Sequence, residues 1–220
     1  MRILAALAFL AGCTSTLRWD PDHVASAIRS WHGQTDPEPL VRVEPISIPG
    51  RPDFVAAICE YQEGWSGYFG VFHFLHGGVD REISPDIAPT EQSIYKLRVL
   101  HVPGFNSPLI EVFGLTHMGN GYLYLYSFQE TRLTLLLQTR AVDLNPDPLQ
   151  FHEGILSTTY RDLNGDGFPD VGLTGTIEDW GEKGASLRGS HPCRRAFLWN
   201  RTKGQFIEEA SRREGFESAD

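Results

Sequence analysis

The strongest constraint on the fold is a unit that occurs three times along the chain: a glycine, a proline a few residues on, then an apolar run. Gly50-Arg51-Pro52-Asp53-Phe54-Val55 is the first. Gly104-Phe105-Asn106-Ser107-Pro108-Leu109-Ile110 is the second, and Gly165-Asp166-Gly167-Phe168-Pro169-Asp170-Val171 the third. Glycine supplies the positive φ that tight turns need, and proline tolerates only the start of a strand. Each unit therefore reads as a turn feeding a strand. Each is followed by a second, aromatic strand, at 68–74, 122–126 and 197–199. Self-similarity of this kind marks a fold built from repeated supersecondary units.

Other runs agree with a β chain. Residues 94–102, 132–139, 154–160 and 205–208 carry strand-forming residues between turn signals. Asn120-Gly121 is a strong hairpin-turn signal before the second aromatic strand. One helix is expected near the start, where Asp20 caps and Pro21 takes the first helical position. Run to about Trp31, it places Val24, Ala27, Ile28 and Trp31 on one face. The expected fold is mostly β, with antiparallel propeller-like repeat units and one short N-terminal helix; a β-sandwich is the alternative. The repeats are expected at about 41–102, 103–150 and 151–209, within a single domain over 21–209, before a charged tail at 210–220.

The N-terminus carries an address. Arg2 precedes a short apolar run that ends in Leu10-Ala11-Gly12-Cys13. The run is shorter than the ~20 residues that span a bilayer and has the layout of an export signal. Leu10-Ala11-Gly12-Cys13 resembles the lipobox of bacterial lipoproteins. That resemblance implies a signal peptide over 1–12, a lipid on Cys13, and a tether over 13–20. Thr14, rather than Asp, follows the cysteine, which in enteric-type sorting implies the outer membrane where the host has one. Export would place Cys59 and Cys193 in an oxidising compartment. A disulfide between them is one expectation; two buried free thiols are the other.

Asp162-Leu163-Asn164-Gly165-Asp166-Gly167-Phe168-Pro169-Asp170 is the most informative stretch. Oxygen side chains recur at alternate positions, with Gly167 at the sharp turn. Calcium is a hard ion that takes six to eight oxygen ligands. Asp162, Asn164, Asp166 and Asp170 offer side-chain oxygens, and Phe168 its main-chain carbonyl. Leu173 stands where an EF-hand needs Glu, so a helix–loop–helix site is excluded. The stretch is similar to the calcium loop of FG-GAP or VCBS β-propeller repeats, best over residues 160–206. The resemblance implies one Ca²⁺, because the turns near Asp53 and Asn106 lack the acidic set.

No catalytic constellation emerges. His73 and His76 are three apart on a strand, which points them to opposite faces, and Tyr68 stands where a nucleophile elbow at Gly64-Trp65-Ser66-Gly67 needs Gly. Tyr122, Tyr124 and Tyr126 line one face; packing on a core accounts for them better than stacking on sugar rings. The net charge of −9, without a Lys/Arg-rich run, argues against a nucleic-acid partner. Hydrophobic residues at 41% exceed what a disordered chain carries. The expected function is a lipid-anchored, calcium-stabilised binding or structural module of the cell envelope, whose partners are the membrane and an unidentified envelope protein or glycan. The alternative is a lipid-anchored hydrolase or glycan-binding accessory protein using His117, His152 and Glu153.

Overall fold

The computed structural model describes residues 19–61, 66–89, 93–115, 121–145, 151–181 and 187–212. Cys13 and His117 lie outside them, and so do the side chains of His152 and Glu153. The chain is mostly β and antiparallel, with one N-terminal helix.

Helix α1 spans Pro21–Thr35. Asp20 caps it, its carboxylate accepting the main-chain N–H of Asp22 at 3.1 Å and of His23 at 3.4 Å. The helix runs one turn beyond the expected end. Its buried residues are Val24, Ala25, Ile28 and His32, while Ala27 and Trp31 pack at the margin. The last turn is held by His32, whose Nε2–H donates to the carbonyl of Glu38 at 3.0 Å. That closing contact is made to a residue beyond the helix, so it leaves no mark in the helical periodicity.

Twelve strands follow among the described residues, and every named pairing joins neighbours in sequence. Four form a first meander: β1 (Leu40–Ser47), β2 (Phe54–Tyr61), β3 (Gly67–Leu75) and β4 (Gly78–Ile83). The second is β5 (Ser93–Leu100), β6 (Leu109–Leu115), β7 (Gly121–Gln129) and β8 (Arg132–Asn145). The third is β9 (Phe151–Arg161), β10 (Asp170–Gly181), β11 (Gly189–Asn200) and β12 (Gln205–Glu208). Hydrogen bonding continues from the second meander into the third only through Val142–Asn145 of β8 and His152–Ile155 of β9. Among the described residues the strands thus form a four-stranded sheet, β1–β4, and an eight-stranded sheet, β5–β12, and each successive run of four strands makes one unit. Ser93–Leu100 pairs with β6, so it belongs to the second unit, and the expected boundary near residue 102 moves back to between β4 and β5.

The repeated glycine–proline turns fall at equivalent places, between the first and second strands of each unit. Gly50, Gly104 and Gly165 all have positive φ. The aromatic runs fall in β3, β7 and β11, the third strand of each unit. Strand β4 has no aromatic or alternating pattern; Asp80, Arg81 and Glu82 give it the charged character of an edge.

The units stack as layers. Ile58, Phe69 and Val71 of the first meet Ile110, Val112, Tyr124 and Tyr126 of the second in one core cluster. Leu109, Phe113, Leu123 and Leu125 of the second meet Leu156, Val171, Leu173 and Phe197 of the third in another. Strand β7 alternates between these clusters and is buried on both faces. Its Leu123, Tyr124, Leu125 and Tyr126 are fully buried. Tyr124 and Tyr126 stack with ring centroids 6.3 Å apart, out of reach of a sugar ring. Truncating one such leucine to alanine costs about 2–5 kcal/mol. A third cluster seats α1 on the outer face of the first unit.

The second and third layers are also joined by buried charge. Glu111 of β6 has no solvent exposure. One oxygen takes the Arg98 guanidinium, and the other accepts Tyr160 Oη at 2.6 Å and Thr158 Oγ1 at 2.5 Å. Arg195 of β11 is also buried; it grips both oxygens of Glu208 on the neighbouring β12, at 2.8 and 2.9 Å, and reaches the second unit through the carbonyl of Arg140 at 3.2 Å. Bidentate pairing such as Arg195–Glu208, and the several donors around Glu111, compensate charge held inside a core.

The expected Cys59–Cys193 disulfide is not formed. Cys59 sits in the helix-facing cluster of the first unit and Cys193 in the cluster between the second and third. The stacking of units puts an intervening layer between them. Burial pushes the Cys59 thiol up to about 12, so it stays protonated and inert.

Candidate metal centre

The loop joining β9 to β10 contains the acidic stretch. Gly165 and Gly167 adopt φ of 82° and 84°, a left-handed backbone that side chains resist. The bends they make turn the N–H groups of Asn164, Gly165 and Gly167 toward Asp162. One oxygen of its carboxylate accepts Gly165 N at 2.6 Å and Asn164 N at 3.2 Å. The other accepts Gly167 N at 2.8 Å. These main-chain bonds, Gly167 first, hold the Asp162 carboxyl below its ordinary range. It is an exposed, persistently charged carboxylate.

The same pattern repeats along the loop. Asn164 Oδ1 accepts Asp166 N at 2.9 Å, and Asp166 Oδ1 accepts Phe168 N at 2.8 Å. Asp162, Asn164 and Asp166 therefore lie together on one exposed turn, bonded to the N–H groups two or more residues ahead. Such local bonds are what short polar side chains offer in place of regular structure.

Asp170 plays a different part. It is fully buried. One oxygen accepts Leu163 N at 2.9 Å, tying the start of the loop to its end. The other accepts Trp199 N at 2.8 Å, tying the loop to β11. Asp170 is thus the cornerstone of the turn, whatever else it binds.

Two arginines that sequence reasoning missed complete the surroundings. Arg201 stacks over the Phe168 ring at 3.6 Å and donates to the carbonyl of Asp166 at 3.3 Å. Arg212 donates to the carbonyl of Leu163 at 3.0 Å. Both come from segments 35 and 49 residues further along the chain than their partners, so local spacing holds no signal for them.

The donor chemistry of the loop fits calcium: carboxylate, amide and carbonyl oxygens only, with no sulfur or imidazole. Among the described residues, however, no three Asp, Glu, His or Cys side chains converge into a metal-holding group. Asp162 and Asp166 share the exposed turn, and Asp170 is committed to the interior. The histidines noted in the sequence lead elsewhere. His73 on β3 bonds Asp80 at 3.0 Å and approaches Asp53 at 3.6 Å, while His76 occupies the following turn at φ 55°. Comparisons with family models, curated proteins and solved structures return no match to this chain.

Proposed function

We propose that the chain is an exported envelope protein, anchored through a lipid on Cys13, whose body is a calcium-stabilised binding or structural module rather than a catalyst. The observation that carries the calcium part is the β9–β10 turn. Its exposed oxygens belong to Asp162, Asn164 and Asp166, the first of them held charged by main-chain N–H groups. A divalent cation would offset the mutual repulsion of those carboxylates and fix the turn that leads into β10. Asp162, Asn164 and Asp166 would hold it with the Phe168 carbonyl, and Asp170 would support the turn from within. The anchoring part rests on Leu10-Ala11-Gly12-Cys13. Two or more acyl chains give stable membrane attachment, whereas a single chain gives marginal attachment.

Calorimetric titration of the full chain with calcium chloride tests the first part. A single site is expected, with Kd of about 10⁻⁴–10⁻³ M as in extracellular modules, and Asp162→Ala should abolish it. No heat from the wild type removes calcium from the proposal. For the anchor, Cys13→Ser should move the protein from the membrane to the soluble fraction; an unacylated Cys13 in the membrane-bound wild type would contradict it.

A further inference from the structure

The outer face of the third unit, away from the stacked layers, carries a groove of about 530 Å³. It is built by cross-strand register. Thr159, Gly172 and Ala196 lie in one row across β9, β10 and β11, and Thr174 and Arg194 pair in the next. Arg161 closes one end of β9, and Ser211 and Arg212 come over from the short 3-10 turn Ala210–Arg212. The middle of the first row has no side chain. A Cβ on Gly172 would lie 2.7 Å from Thr159 Oγ1, so glycine keeps the floor open.

The lining reverses the sign of the molecule. Acidic residues outnumber basic ones in the chain, 28 to 19. The groove nevertheless contains Arg161, Arg194 and Arg212, all exposed, and no carboxylate. The exposed hydroxyls of Thr159, Thr174 and Ser211 stand among them; Thr159 donates to the Gly172 carbonyl at 3.3 Å and Ser211 to the Glu209 carboxylate at 2.8 Å. A concave patch of one sign concentrates ions of the other. Guanidinium groups bind oxyanions with paired N–H donors. Three guanidiniums, each with several N–H donors, supply more than the two oxygens of a carboxylate can use, but they suit the oxygens of a phosphate. The volume exceeds that of a bare phosphate and lies in the range of small-molecule sites. Leu163 and Ala196 give an apolar wall for the remainder of the ligand.

We infer that this groove binds a phosphate monoester, its phosphate between Arg161, Arg194 and Arg212 and its organic part along Leu163 and Ala196. The site adjoins the calcium loop and shares Leu163 and Arg212 with it, but none of the loop's carboxylates lines it. The phosphate could be carried by a soluble ester or by a lipid headgroup, since the recognition chemistry is the same.

The test is calorimetric titration of the full chain with phenyl phosphate, inorganic phosphate and benzoate, in calcium and in chelator. One saturable site for phenyl phosphate is expected, with benzoate weaker. The double variant R161A/R194A, at exposed positions, should weaken binding by about tenfold or more. Thr174→Glu, which puts a carboxylate into the groove, should weaken it similarly and serves if the double variant folds poorly. Absence of saturable phenyl phosphate binding, equal affinity in the variants, or benzoate binding as tightly would overturn the inference. Binding that survives the chelator, in a protein that takes no calcium, would separate this site from the calcium proposal. Vesicles of phosphatidylcholine with phosphatidic acid distinguish the source. Retention of the Cys13→Ser chain, lost on adding R161A/R194A, assigns a lipid headgroup; no retention alongside phenyl phosphate binding assigns a soluble ester.

Discussion

The β1–β2 and β9–β10 turns occupy the same place in their units, yet they secure the third strand by different means. In the first unit, Phe74 N donates to the main-chain carbonyl of Asp53 at 2.8 Å, while the Asp53 side chain is 47% exposed beside His73. The second unit repeats this, Phe128 N donating to the carbonyl of Pro108 at 3.1 Å. In the third, Trp199 N turns instead to the carboxylate of Asp170, which is fully buried. The backbone plan is shared. What differs is whether the acceptor is a peptide group, present in any sequence, or a side chain that mutation, protons or metal can alter. The third turn has become chemically addressable, and the first remains a plain joint.

The largest expected contrast lies in those two aspartates. Asp170→Ala strands two interior N–H donors, of Leu163 and Trp199, and should cost about 2–5 kcal/mol. Asp53→Ala removes only a solvated side chain and should change stability by about 0.5 kcal/mol or less. Urea denaturation of the two variants measures both, and equal losses would erase the distinction.

Glycine substitutions rank next. At Gly104, φ of 99° combines with a close neighbour: a Cβ would lie 2.8 Å from Pro169 Cδ, where the second unit's turn meets the third's. Gly50 and Gly165 have positive φ but open space around them. Gly104→Ala should therefore cost about 2–4 kcal/mol, from strain and overpacking together, against about 1–2 kcal/mol at Gly50 or Gly165. Thermal melts of the three variants supply the ranking.

The pH dependence distinguishes the units by direction rather than size: the first and third should respond in opposite directions. Burial raises the Glu82 carboxyl on β4 from 4.5 to about 7. A raised folded value means that its contribution to stability is present below about 4.5 and is lost as pH rises through about 7. Asp162 is held below its ordinary value of 3.8 by the N–H groups of Gly167, Gly165 and Asn164. Its contribution is present above that value and is lost as pH falls through the depressed one. Glu82→Gln should remove the first dependence and Asp162→Asn the second. Hydrogen exchange of β3 and β10 against pH separates the two; slopes of the same sign would contradict the assignment.

Much of the architecture was legible because it is local. The glycine–proline turns at Gly50, Gly104 and Gly165 mark the hairpins that lead into β2, β6 and β10, and the aromatic runs mark β3, β7 and β11. Strand β4 was not legible, since Asp80, Arg81 and Glu82 leave only Val79 and Ile83 to pack and break any apolar alternation. Nor was the separation of Cys59 from Cys193, which depends on the order in which the units stack. The acidic turn was visible as a set of oxygens. The burial of Asp170, and the placing of Arg201 and Arg212 at the loop, arise from contacts between distant segments that no spacing encodes.

The central claim is that a cation completes the third turn, and differential scanning calorimetry of the full chain in calcium and in chelator tests it most directly. At a calcium concentration ten times Kd, linkage gives about 1.4 kcal/mol of added stability. For a domain of this size that is a rise in Tm of about 3–5 °C. Asp166→Ala should melt at the same temperature in both solutions. Superimposable wild-type curves with and without calcium would contradict the account and leave the Asp162–Asp166 turn as a polar loop closed by its own N–H groups.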